Sequence, residues 1–295
     1  MEIERVGIAG GGLMGHGIAQ VAAQAGYEVH LREVDQERLD KAVGKIEKQL
    51  ARAVEKGKME QSAADEVRGR LHPTLDYGDF ADCQLVIEAI TESLEAKVEL
   101  WKELDGVVKD PNAVLATNTS SLAVIDQAVA TKRPNRFIGL HFFNPAQVMP
   151  LLEVIRTVTT DDDAFETGLA FGEKLGKTVV RAKDKTGFIV NRLLVPYMLD
   201  AIRAYEEGVG SIEDIDSAMK GGAAHPMGPF TLLDFVGLDT TKSIADIMFD
   251  EYRERRFAAP PTLRRMVSAG FYGKKSGRGF YDYSGEKPVA VEPGL

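Results

Sequence analysis

Cysteine is nearly absent from this 295-residue sequence: the one thiol, Cys83, excludes a disulfide framework and a cysteine-based zinc site. It precedes the apolar run Leu85–Ile87, where a small residue at a core edge is its expected role. No apolar run reaches the roughly 18 residues that a membrane span requires. The opening MEIERVGIAGGG has no basic stretch followed by an apolar one, so no cleaved secretory signal is expected there and the cytoplasm is the expected location. Positive charge is in deficit, 36 Lys and Arg against 45 Asp and Glu for a net charge of −9, which argues against nucleic acid as a partner. A local basic patch could still receive an anionic substrate. Internal repeats and low-complexity tracts are lacking too. What is present is ordinary globular material, 44% hydrophobic and 27% charged, in a length that suggests two domains at roughly 150 residues each.

Short apolar runs alternate with helical periodicity over the first 180 residues or so, which predicts a mostly parallel, doubly wound sheet. Strands are expected at Ile3–Ala9, Tyr27–Leu31, Leu85–Ala89, Ala113–Ala116, Phe137–Leu140, Leu151–Ile155 and Thr178–Arg181. Helices are expected over Met14–Ala25, Leu94–Val108, Ser121–Ala130 and Asp162–Leu175. The charged stretch from Gln36 to Arg70 is too long for a crossover loop and reads as an inserted helical hairpin turning near Lys56–Met59. After Lys183 the texture becomes helical throughout, with one strand at Gly279–Tyr283, so a boundary near residue 184 and an all-α second domain are expected.

Gly10-x-Gly12-x-x-Gly15 follows a strand and opens a helix, the context in which this motif points to a dinucleotide. The first glycine permits the turn, the second lets backbone approach a pyrophosphate, and the third packs helix on strand. The helix N-terminus then meets the phosphate charge. Glu33, eighteen positions past Gly15, is placed to accept bonds from ribose hydroxyls and repel a 2′-phosphate, favouring NAD. Arg32 beside it keeps NADP open as the alternative, and Asp35 reads as a helix cap.

Oxidising an alcohol by hydride transfer needs a base, and five histidines are on offer. His16 reads as packing in the glycine turn, His30 as a strand residue, His72 as a loop residue and His225 as part of a glycine-rich turn. His141 differs, because it follows the Phe137–Leu140 strand, where ligands collect in such sheets. Twelve residues on, Glu153 stands alone among Leu151, Leu152, Val154 and Ile155, and a carboxylate there is costly without a partner. A His141–Glu153 pair would remove that cost and fix the imidazole tautomer; a carboxylate on a partly exposed strand edge is the competing explanation.

Further motifs run in order along nearly the whole chain: Val86-Ile87-Glu88-Ala89, Asn118-Thr119-Ser120-Ser121, His141-Phe142-Phe143-Asn144-Pro145, Gly187 to Arg192, His225-Pro226-Met227-Gly228-Pro229 and Gly277 to Tyr281. With the glycine turn, they make the sequence resemble the 3-hydroxyacyl-CoA dehydrogenase family, above all its short single-function 3-hydroxybutyryl-CoA members. The resemblance implies a Rossmann-type domain over residues 1–184, carrying the helical hairpin, and a helical domain over 185–295 that forms a homodimer. It implies reversible oxidation of an (S)-3-hydroxyacyl-CoA to the 3-oxoacyl-CoA, with His141 as the base, Glu153 as its orienting acid, and Ser120 and Asn191 holding the substrate oxygen. Leu13, Met14, Asn118 and Ser120 join the glycines and Glu33 as implied cofactor contacts. The resemblance also implies that Asn144 falls near the nicotinamide, that Glu92 and Lys97 contact the cofactor's ribose or amide, and that Lys275 reaches it from the C-terminal domain. Lys56, with Arg52, matches a CoA-binding position on the hairpin, where Lys48, Arg52 and Lys56 share one helix face by spacing. Glu33 departs from the family's usual aspartate, which bears on the choice between NAD and NADP. A related dehydrogenase of a free hydroxy or sugar acid, and a cofactor-binding protein without turnover, are the competing readings.

Overall fold

The computed structural model describes residues 2–292. The described residues form two compact units, one ending at Phe188 and the other starting at Ile189.

In the first unit β1 (Arg5–Ala9) leads through the glycine turn into α1 (Gly15–Gln24) and on to β2 (Glu28–Arg32). The charged insert is α2 (Gln36–Glu55) and α3 (Gln61–Gly69), followed by β3 (Leu71–Thr74). Asp35 caps α2 by accepting from the Arg38 amide at 2.8 Å, as its side chain and position predict. Leu39, Ala42, Ile46 and Leu50 form the buried stripe of α2, so its charges fall on the outer face. The unit continues with β4 (Leu85–Glu88), α4 (Leu94–Val107), β5 (Val114–Thr117), α5 (Val124–Ala128), β6 (Phe137–Phe142), β7 (Leu151–Arg156), α6 (Asp162–Lys174) and β8 (Thr178–Lys183).

The eight strands lie in the order β3-β2-β1-β4-β5-β6-β7-β8. Strand order reverses between β1 and β4, and the ligand crevice of such a sheet opens at the carboxyl ends there. Every pairing is parallel except β6 with β7. Leu140, Phe142, Leu152 and Val154 enter the apolar layer shared with α1 and α6, while Phe137 and Ile155 enter the opposite layer with Trp101 and Val124. By strand alternation His141 and Glu153 belong to the Ile155 face.

Several expectations change. His72 is on β3 and not in a loop: Pro73 masks the strand in the sequence, and an edge position tolerates it. His141 lies inside β6, which runs two residues beyond the expected end. The helix expected over Ser121–Ala130 shortens to α5, because the preceding residues form a polar turn.

The second unit contains α7 (Val190–Glu206), α8 (Ile212–Gly222), α9 (Pro229–Val236), α10 (Leu238–Tyr252) and α11 (Pro261–Ser268), with a core that includes Leu199, Phe230, Leu233, Met248 and Phe280. It is helical apart from a ribbon of two two-residue strands, β9 (Tyr281–Asp282) and β10 (Val289–Ala290), so the strand expected at the end is much shorter than Gly279–Tyr283 and has a partner. Among the described residues no helix is long and apolar enough to cross a membrane, and no cluster of ligating side chains could hold a metal.

Candidate active site

The glycine turn meets the steric demands of a dinucleotide cradle. Gly10 has φ +98°, and a Cβ there would stand 2.8 Å from the Ala89 carbonyl oxygen. At Gly15 a Cβ would fall 1.7 Å from the Gly10 carbonyl, so only glycine brings the start of α1 this close to the turn. Gly12 is the opposite case, since a Cβ there would meet nothing within 4 Å; its face is open, where backbone must approach a pyrophosphate. No side chain among the described residues caps α1 at Met14, which leaves the leading amides available for phosphate. His16 serves the turn itself, its Nδ1 lying 2.5 Å from the Gly12 carbonyl, and burial holds its imidazole below the ordinary value and hence neutral.

A cavity of about 630 Å³ adjoins the turn, walled by Gly10, Gly12, Leu13, Arg32, Glu33, Val34, Tyr77, Ile90 and Thr91 among others. Glu33 accepts the Gly11 amide at 2.8 Å and the Val34 amide at 3.0 Å, which presses its carboxylate against the turn. Arg32 lies 3.9 Å over the Tyr77 ring and donates to the Tyr77 hydroxyl and the Leu75 carbonyl. Its guanidinium is thus committed to the wall.

On the antiparallel β6–β7 pair, His141 and Glu153 are register partners. The His141 Nδ1 lies 2.6 Å from Glu153 Oε2, with His141 5% and Glu153 0% exposed. A carboxylate buried to that degree persists only when paired, and the pairing engages Nδ1 and leaves Nε2 as the ring nitrogen turned from the carboxylate. Phe143 and Phe188 pack on the imidazole with centroids at 4.4 and 5.6 Å. Asn118 at the end of β5 accepts the Phe142 amide at 3.0 Å, tying the histidine strand to the next turn.

That turn carries Ser120, and Glu92 organises it. Glu92 Oε1 accepts from the Thr119 hydroxyl at 2.5 Å and the Ser120 amide at 3.0 Å, and lies 3.4 Å from the Ser120 hydroxyl. Burial alone would raise the Glu92 carboxyl, but Lys97 and these donors outweigh it and hold the group below its usual range. Lys97 is 1% exposed, and its ammonium lies between Glu88 at 2.5 Å and Glu92 at 3.3 Å.

The whole chain matches known proteins consistently. The 3-hydroxyacyl-CoA dehydrogenase NAD binding domain matches residues 5–185, and the C-terminal domain of the same proteins matches residues 187–283. This chain belongs to the 3-hydroxyacyl-CoA dehydrogenase family. A 3-hydroxybutyryl-CoA dehydrogenase of Mycobacterium tuberculosis is 51% identical over 282 residues, covering 95% of this chain and 99% of that one. Human mitochondrial hydroxyacyl-coenzyme A dehydrogenase is 47% identical over 288 residues, covering 95% and 91%. The crystal structure of (S)-3-hydroxybutyryl-CoA dehydrogenase from Ralstonia eutropha superposes with a TM-score of 0.93 at 38% identity, covering 96% of this chain and all of that one. As a member of this dehydrogenase family the chain is an oxidoreductase whose cofactor is NAD.

The other expected residues are dispersed. Asn144 is exposed in the segment between β6 and β7. Asn191 lies in the first turn of α7, and Lys275 is ion-paired with Asp239 at 2.7 Å, both within the second unit. Arg52 and Lys56 are exposed at the end of α2, one turn apart, with Lys48 one turn earlier. Glu88 and Thr117 carry polar contacts that no sequence argument had assigned. The signal was available, since Glu88 ends an otherwise apolar strand as Glu153 interrupts one.

Proposed function

We propose that this enzyme interconverts (S)-3-hydroxyacyl-CoA and 3-oxoacyl-CoA, with 3-hydroxybutyryl-CoA and acetoacetyl-CoA as the working pair and NAD preferred over NADP. The observation carrying this reading is the buried contact of 2.6 Å between His141 Nδ1 and Glu153 Oε2. NAD, when bound, supplies the acceptor for the hydride leaving C3. His141 takes the 3-hydroxyl proton at Nε2, and Glu153 stabilises the imidazolium that results. In the reductive direction His141 begins protonated and returns that proton. Ser120 and Asn191 orient the reacting oxygen beside the imidazole.

Gly10, Gly12, Gly15, Leu13, Met14 and Glu33 hold the adenosine and pyrophosphate half of the cofactor, with Asn118, Asn144, Glu92, Lys97 and Lys275 serving the other half. Glu33 selects against a 2′-phosphate, supported by its place on the cavity wall and by the engagement of Arg32 with Tyr77. Lys56 and Arg52 receive CoA phosphates, a role suited to adjacent exposed cations. On this reading residues 1–184 are the cofactor-binding domain and 185–295 the substrate and dimerisation domain.

The test is steady-state reduction of acetoacetyl-CoA by NADH in the parent and in His141→Ala. The expected loss is about 10²- to 10⁴-fold in kcat, the range for an acid–base group, with NADH binding retained by fluorescence titration. Parental turnover in the variant would refute the assignment. Equal activity on free acetoacetate would refute the CoA substrate.

A further inference from the structure

We propose that Glu88 is a positioning residue that acts through Lys97 and Glu92, and through Thr117, to fix the turn bearing Ser120. The inference rests on the substrate-orienting role given to Ser120 above. Glu88 closes β4, is 0% exposed, and distributes its carboxylate in two directions. Oε1 receives the Ile90 amide at 2.7 Å and the Lys97 ammonium at 2.5 Å. Oε2 receives the Thr117 hydroxyl at 2.7 Å. The Glu88 carbonyl also accepts the Asn118 amide at 2.8 Å.

The Lys97, Thr117 and Asn118 contacts lead to the same place. Lys97 sits in the first turn of α4 and passes the link to Glu92, whose other oxygen collects Thr119, Ser120 and Ser121. Thr117 and Asn118 are the residues from which that turn departs, so Glu88 grips the turn at its root while Glu92 grips its crest.

Two carboxylates around one buried ammonium are a poor device for stability, because apolar side chains of similar volume commonly serve as well. Such a cluster does fix direction, since each ion's partners are set by where the others stand. Without charge at position 88, Lys97 is drawn wholly toward Glu92, and Glu92 turns from the Ser120 amide and hydroxyl to meet it. The expected result is a misplaced hydroxyl in a folded enzyme whose glycine turn is unchanged.

The experiment is a double-mutant cycle on the full-length enzyme with Glu88→Gln, Ser120→Ala and both together, assayed with acetoacetyl-CoA and NADH. Glu88→Gln is expected to lower kcat about tenfold at saturating NADH and, since Glu92 and Lys97 also serve the cofactor, to weaken NADH binding as well. In the Ser120→Ala background it should cost nothing further. Parental kcat in Glu88→Gln, or losses that multiply in the double variant, would overturn the proposal. Unchanged kcat in Ser120→Ala would overturn the Ser120 role and this inference together, whereas an impaired Ser120→Ala with multiplying losses removes Glu88 alone. Should Glu88→Gln not fold, Thr117→Val removes the bond to Glu88 together with the one the Thr117 hydroxyl accepts from the Thr119 amide, and keeps every charge. About a threefold loss in kcat, again absent beside Ser120→Ala, is the result it must give.

Discussion

Glu33 shows how much one side chain can decide. Its two oxygens are held by the Gly11 and Val34 amides, so the negative charge is fixed on the cavity wall rather than swinging in solvent. Removing it with Glu33→Ala takes one acid from a wall that also holds Arg32, Arg38, Glu99 and Glu103. The ratio of NADPH to NADH affinity is expected to rise by at least about tenfold, roughly 1.4 kcal/mol, as read by fluorescence titration of both cofactors. An unchanged ratio would mean that the preference lies elsewhere. At this scale the sequence was most legible where polarity breaks an apolar run: Glu153, alone among apolar neighbours, already asks for a partner such as His141. Arg32 was not legible, because whether a guanidinium faces a phosphate or lies on a tyrosine 45 positions away is a tertiary matter.

Among the elements, the glycine turn separates two demands that the motif runs together. Gly12 stands in open space while Gly15 touches backbone, so alanine should act differently at each. Gly12→Ala is expected to keep the parental melting temperature and weaken NADH binding at least about tenfold. Gly15→Ala must push the turn off α1 and should destabilise the fold by about 1–3 kcal/mol, the usual cost of overpacking. Thermal denaturation beside cofactor titration separates the two, and equal melting temperatures would contradict the steric account. Strand direction was the element-level property least visible in composition, because hydrophobic periodicity carries no polarity. Loop length did carry it. Only residues 143–150 separate β6 from β7, short of the dozen or more that a parallel crossover needs, so the reversal was readable by a different rule.

Across the whole molecule, the division into a strand-rich and a helical half was legible from texture, whereas the stabilising polar cluster of the second half was not. Asp234 accepts from the Phe280 and Tyr281 amides and the Tyr283 hydroxyl, side by side with glycines that admit no Cβ. Burial pushes its carboxyl up to about 6 against those donors, and nearby Asp216 adds to the rise. Since the folded state holds this proton more tightly than the unfolded chain, the contribution is complete below the unfolded value near 3.8 and is lost as pH climbs through about 6. The difference in unfolding free energy between the parent and Asp234→Asn, read from denaturant titrations, should therefore fall between pH 4 and 7 by an amount on the order of 2–3 kcal/mol. A difference that stays flat across that interval would remove Asp234 as its source.

The cross-strand placement of His141 opposite Glu153 has a consequence for how this scaffold can vary. Their spacing is set by the main-chain ladder, so lengthening or reshaping residues 145–150 leaves the His141–Glu153 contact in place. A slip of one position inside either strand would instead send the acid to the opposite side of the sheet. The imidazole–carboxylate contact is therefore inherited through a pairing that tolerates no frameshift, whatever happens to the connection beyond Phe143 and Asn144.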